Sequence, residues 1–199
     1  MNRKRRYIIG ITGGIASGKS TVMKMLAQAG IRTISADDLA HACIRRGKPG
    51  YRAIVKHFGK EILGSDRQIQ RRALGKIVFA DADQRRRLQN IIHPCVATKL
   101  KAYIRSHRSM MALDIPLLYE AGYERWMDTI AVVYCSPAEQ VRRLIARNGL
   151  SRREALQRLS SQWPIARKRR LADVVLNNSG SRTELQRQVN YFLQKIKSA

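Results

Sequence analysis

The residues Gly13-Gly14-Ile15-Ala16-Ser17-Gly18-Lys19-Ser20-Thr21 fit the pattern G-x-x-x-x-G-K-[ST]. Glycines let a backbone curl until successive N–H groups point inward, and such a concavity holds phosphate oxygens. A lysine after the last glycine is placed to reach β- and γ-phosphates, and the next hydroxyl can meet a Mg²⁺ ion. Lys19 and Ser20 are therefore the candidate phosphate and Mg²⁺ residues. Alone, the loop does not choose between kinase, ATPase, GTPase and binding module. No N-K-x-D base-reading motif is present.

Two further groups could complete a phosphoryl transfer. Asp37, in Ser35-Ala36-Asp37-Asp38-Leu39-Ala40-His41, follows a short apolar run, and strand C-termini converge on the binding crevice of a parallel α/β fold. It could accept the proton of an attacking hydroxyl. Asp38 could do so instead, and either could simply cap the next helix. Asp114, at the end of Met110–Ile115, could hold a Mg²⁺-bound water or cap a turn before Pro116. From Arg142 to Arg170 there are ten Lys/Arg and one acid, Glu154. A basic flap of this kind would stabilise charge spreading over a transferred phosphoryl group. Most of these arginines individually suit a solvated helix face. Arg147 stands out because it lies where a helix enters the flap.

The elements that would position these groups are legible as short apolar runs between helical patterns. Tyr7–Thr12 reads as a buried central strand ending in the glycines. Val22, Met23, Leu26 and Ala27 recur at helical spacing over Ser20–Ala29, and Gly30 suits the helix end. Ile31–Ser35, Met110–Ile115, Thr129–Cys135 and Asp173–Leu176 are the other strand candidates. Ser136 and Pro137 form a helix start, Gly149 an end, and Ser151 with Glu154 a capping box. A last amphipathic helix is expected over Ser181–Lys195. Between residues 36 and 108 the pattern is helical, broken at Gly47–Gly50, at Gly64–Asp66 and at His93-Pro94. This segment reads as an inserted subdomain of a single α/β domain spanning 1–199, with a lid over 147–172. Strands alternating with helices predict a parallel sheet covered on both faces.

Composition bounds the partners. Lys plus Arg is 39 against 14 for Asp plus Glu, a net charge of +25 in 199 residues. Such a surface attracts anions. No apolar run reaches the roughly 18 residues of a membrane span. The basic start, MNRKRR, runs into the first strand and does not read as a leader. Cys43, Cys95 and Cys135 form no C-x-x-C pair and read as reduced thiols in a cytoplasmic protein.

In chain order the motifs GITGGIASGKST, ADDLAH, FGKEIL, RRALGKIVF, IIHP, IPLLYE, SRREAL and ADVVLNNSG resemble the dephospho-CoA kinase family, across about Tyr7 to Ser181. The resemblance implies an α/β, three-layer P-loop kinase fold with a five-stranded parallel sheet, a helical acceptor subdomain and a lid. It implies transfer of the γ-phosphate of ATP, with Mg²⁺, to the ribose 3′-hydroxyl of dephospho-CoA. On it, Asp37 matches the general base, residues 13–21 and Arg147 the ATP-binding groups, and Asp37, His93 and Leu117 the acceptor side. On its own His93 reads as a capping or packing histidine. ADVVLNN is also assigned to the acceptor. Ser35 stands where the family usually has the first Asp of D-A-D. Ala16 stands where Gly is common, which requires an ordinary negative φ there.

Two rivals remain at this level. One is another nucleoside or nucleotide kinase, differing in the helical subdomain. The other is a basic, nucleotide-regulated nucleic-acid-binding protein using Arg3–Arg6, Arg85–Arg87 and Arg167–Arg170. Aromatics are 6% and not interleaved with those clusters, so no specific nucleic-acid partner is expected. The partners expected are the small molecules ATP and dephospho-CoA, with a monomer or weak homo-oligomer and no membrane insertion.

Overall fold

The structure, a computed structural model, describes residues 6–198. Most of the basic cluster Arg3–Arg6, namely 3–5, lies outside the described residues. The chain divides into two compact units, one of residues 1–35 with 107–199 and one of Ala36–Ser106.

The first unit is a parallel sheet with helices. Its strands are β1 (Tyr7–Gly13), β2 (Arg32–Ser35), β3 (Met110–Asp114), β4 (Thr129–Tyr134) and β5 (Val174–Asn177), in the spatial order β2-β3-β1-β4-β5. Every pairing is parallel. β1 is central because its YIIGITG run can be buried on both faces. Ile9 and Ile11 join a core with Val22, Leu26, Val133, Leu185 and Phe192. On alternate positions Gly10 leaves room for Leu118 and Met127, whose atoms a Cβ at Gly10 would overlap. The helices are α1 (Lys19–Gln28), α6 (Pro137–Asn148), α7 (Arg152–Ser160), α8 (Ile165–Leu171) and α9 (Arg182–Ser198).

Local chemistry sets the helix ends. After α1, Ile31 N–H donates to Leu26 O and Gly30 N–H to Ala27 O, with Gly30 at φ 79. This paired closure needs a left-handed residue, which glycine supplies without a Cβ penalty. Ser136 accepts from Glu139 N–H ahead of Pro137. Ser151 and Glu154 cap each other's amides.

The second unit holds α2 (Ala36–Cys43), α3 (Pro49–Phe58), α4 (Arg71–Ala80) and α5 (Ala82–Ser106) around Ile54, Phe58, Ile62, Leu74 and Val78. A lone antiparallel bridge, Leu63 to Ile69, spans the Gly64–Asp66 turn. The break expected at His93-Pro94 does not occur: α5 runs through Pro94. Proline removes one hydrogen bond and crowds the preceding turn, at about 3 kcal/mol. That cost is offset by packing along α5 against α2, α3 and α4, with Val96 and Leu100 buried. A second correction concerns the thiols. Cys43 and Cys95 form a disulfide joining α2 to α5, while Cys135 is a buried free thiol. Spacing could not reveal this pair, because the helices bring together residues 52 apart.

No helix among the described residues is long and apolar enough to cross a membrane.

Candidate active site

In an open parallel sheet the ligand crevice lies at strand C-termini where successive connections leave in opposite directions. Here that point is between β1 and β3, since β1 leads out toward β2 and the chain after β3 returns to β4. The phosphate loop follows β1 there. Asp114 ends β3 in register with Ile11 of β1 and with Ser35 of β2.

Three glycines of the loop are fixed by their neighbours. A Cβ at Gly13 would lie 2.5 Å from Val133 O and 2.6 Å from Ser17 Oγ. At Gly14 it would collide with the amide of Gln140, and at Gly18, φ 95, with Asn178 Nδ2. The loop is thus a closed backbone cradle. It delivers its last residue to the start of α1, whose first turn carries no acid and whose N-cap, Gly18, has no side chain to satisfy the amides. Such a terminus favours an anion. Ser17 Oγ is buried with no hydrogen-bond partner, a polar atom oriented for something the protein does not itself supply. Ile15, Ala16 and Lys19 are half-buried, and Ser20 is exposed.

The braces around the cradle were not evident from the sequence. Gln140, buried in α6, donates from Nε2 to Cys135 O at 3.1 Å and lies against Gly14. Asn178 donates from Nδ2 to Ser17 O at 2.8 Å. Arg143 Nη2 donates to Asn178 O at 2.9 Å, and Arg143 Nε to Glu139 Oε1 at 2.6 Å. Hydrogen bonds from Arg142 and Arg143 hold the Glu139 carboxyl down at about 2, so it stays an acceptor throughout the neutral range. ADVVLNN, assigned above to the acceptor, therefore braces the phosphate loop through Asn178. A side-chain brace joining residues 161 apart leaves no local signal.

Ala16 is a correction. Its φ is 58, in the left-handed region, and not the negative φ that an alanine was expected to require. Left-handed backbone costs a non-glycine residue about 1–2 kcal/mol, part of which is returned by alanine's smaller entropy in the unfolded chain. Ala16→Gly is expected to stabilise the fold by about 0.5–1 kcal/mol, raising Tm by about 1–3 °C. Thermal scans of the nucleotide-free proteins check this, and an unchanged or lower Tm refutes the strain.

The remaining candidates fall as follows. Arg147 is exposed at the end of α6, its Nε on Asn148 Oδ1 at 3.0 Å. Leu117 is half-buried in the turn after β3. Asp37 and Asp38 are exposed in the first turn of α2, which starts at the residue after β2 ends. Both carboxylates raise the pKa of His41, but burial and the nearby Arg71 outweigh them and lower it. His93 is half-buried within α5, and burial lowers its pKa, favouring the neutral imidazole. Arg85–Arg87 lie along the first half of α5, and Arg167, Arg169 and Arg170 along α8.

A cluster of three or more His, Cys, Asp or Glu able to hold a metal is absent among the described residues. A metal that arrives with phosphates needs few protein ligands, because Mg²⁺ keeps waters and phosphate oxygens around it. One hydroxyl and one carboxylate, Ser20 and Asp114, suit that mode.

A model of the dephospho-CoA kinase family matches residues 7–184. The chain is 45% identical over 191 residues to a dephospho-CoA kinase of Geobacillus kaustophilus, covering 94% of this chain and 95% of that one. Among solved structures, TT1252 from Thermus thermophilus is 35% identical with a TM-score of 0.78, over 96% of this chain and 98% of the other. A dephospho-CoA kinase from Campylobacter jejuni is 28% identical with a TM-score of 0.70, over 96% and 97%. With the family matched over nearly its whole length and the phosphate cradle at the switch point of a five-stranded parallel sheet, the chain belongs to the dephospho-CoA kinase family.

Proposed function

We infer that the chain transfers the γ-phosphate of ATP to the ribose 3′-hydroxyl of dephospho-CoA, yielding coenzyme A and ADP. The observation that carries this reading is the braced cradle, with Ser17 Oγ unsatisfied, in a chain of this family.

On this reading the backbone amides of residues 13–18 and the start of α1 bind the β- and γ-phosphates. Lys19 draws off charge as the bond to the leaving oxygen lengthens. Asp37 accepts the 3′-hydroxyl proton as the oxygen attacks in line. Mg²⁺, held by Ser20 and through water by Asp114, would neutralise charge on the phosphate oxygens. The residues from 147 to 172 act as a lid anchored at its α8 end, with Arg147 on the ATP phosphates. By closing it would exclude water, a competing acceptor. Ala36–Ser106 supplies the acceptor side, with His93 as a neutral hydrogen-bonding group, while Leu117 contributes from the turn after β3. The enzyme works as a monomer or weak homo-oligomer, without a specific nucleic-acid partner.

The experiment is ADP release from MgATP across an acceptor panel of dephospho-CoA, nucleosides, nucleoside monophosphates and no acceptor. Turnover with dephospho-CoA alone is expected. Preference for a nucleoside or its monophosphate would replace the acceptor assignment, and acceptor-free turnover stimulated by nucleic acid would replace the class.

A further inference from the structure

A buried cation outside the phosphate loop is unaccounted for by the mechanism. Lys168, in the middle of α8, is fully buried at 0% exposure. Its Nζ lies 2.8 Å from Glu120 Oε1 and donates to Pro116 O, also at 2.8 Å. Glu120 Oε1 also accepts Trp163 N–H at 2.9 Å, just before Pro164, which precedes α8. Pro116 O accepts in addition from Thr12 Oγ1 at 3.2 Å. Thr12 is the residue before Gly13, where the cradle begins. A continuous polar chain thus runs from β1, through the turn after β3, to the interior of α8.

The arrangement is costly unless it does something that packing cannot. Burying two charges carries a desolvation penalty, and an apolar pair of similar volume is often as stable. Burial pushes the Lys168 ammonium toward its neutral form, Glu120 opposes this, and Lys19 of the phosphate loop reinforces it. An ion pair with two further directional bonds sets the rotation and depth of α8, which an apolar contact leaves loose. What α8 carries makes that orientation matter: Arg167, Arg169 and Arg170 flank Lys168. The Arg167 guanidinium also stacks 3.4 Å above the ring of Trp163.

We propose that Lys168 and Glu120 are positioning residues that fix the arginine-bearing helix α8 to the strand leading into the phosphate loop, and so govern the rate of transfer rather than the affinity for ATP. The proposal rests on the kinase reading above. It assigns the final Glu of IPLLYE a partner that no local pattern reveals.

The test uses the full chain with Trp126→Phe, so that Trp163 alone reports the α8 region, and adds K168M/E120Q, which removes both charges at nearly constant volume. Turnover with dephospho-CoA, ATP affinity by calorimetry and Trp163 emission with and without MgATP are measured. The expected result is kcat lower by about 10- to 100-fold, ATP Kd within about threefold, and loss of the MgATP-dependent change in emission. The double variant with kcat within twofold of its parent and an intact emission response would overturn the proposal. So would an ATP affinity that falls in step with kcat, because that marks a general structural role. If the double variant does not fold, E120Q alone, which keeps every heavy-atom position, is read by the same criteria. Should the parent itself not turn over dephospho-CoA, the kinase reading fails, and the emission response still decides the pair: its loss in the variant supports positioning and its persistence refutes it.

Discussion

Asp37→Asn is expected to cut turnover with dephospho-CoA by about 10²- to 10⁴-fold, the range for loss of a positioned proton acceptor, while ATP affinity changes little. Asparagine keeps the shape and hydrogen-bonding reach of aspartate and loses its basicity. The side chain is exposed at the start of α2, so the substitution leaves no buried gap. Its neighbour provides the internal control, since Asp38 is also exposed in the same turn. Steady-state kinetics of D37N and D38N, with ATP binding measured separately, decide between them. Near-normal turnover in D37N together with a collapse in D38N would transfer the role. Near-normal turnover in both would leave the reaction without a carboxylate base on this helix.

Lys19→Ala is expected to lower kcat by about 10²- to 10³-fold, comparable to losing one preorganised donor to developing charge, and also to weaken MgATP binding. The contrast with Asp37 is diagnostic. A group on the donor phosphates already acts in the bound ground state, so affinity falls, and it acts more strongly on the charge developing in the transition state, so kcat falls too; a base acts on the acceptor alone. The half-buried Lys19 projects from a loop held by Gln140 and Asn178, so truncation leaves the cradle standing. Calorimetric titration with MgATP beside steady-state rates checks both effects, and unchanged kinetics would remove Lys19 from the phosphates.

Much of the fold was legible because its determinants are local. Gly30, Gly149, the Ser136-Pro137 start and the Ser151–Glu154 box act within one turn of where they stand, and each closes or opens a helix as its residue type requires. The phosphate loop was legible for the same reason. The failures are of another kind. α5 survives Pro94 because of packing contributed by three other helices. The Cys43–Cys95 bond depends on how α2 meets α5. Ala16 adopts a left-handed φ that its residue type argues against, because the loop around it dictates the path. Gln140, Asn178, Glu120 and Lys168 are ordinary letters until the topology sets them against the loop or against one another. The readable part of the candidate site is therefore the part proposed to meet the ligand, and the unreadable part is what braces it.

The strand order has a consequence for the living chain as it leaves the ribosome. Within this sheet β1 is made before both of its partners, β3 and β4, which begin more than a hundred residues later, at Met110 and Thr129. The brace on its loop comes later still, with Asn178. Contacts so distant in sequence form slowly, and they wait on synthesis as well. Ala36–Ser106 is one uninterrupted stretch with its own core, so it can become ordered while β1 is still waiting. The segment that carries the phosphate loop is thus expected to gain its sheet contacts after Ala36–Ser106 has become ordered. Limited proteolysis of nascent chains arrested just after Ser106 has emerged would show it, as protection of residues 36–106 ahead of residues 7–35.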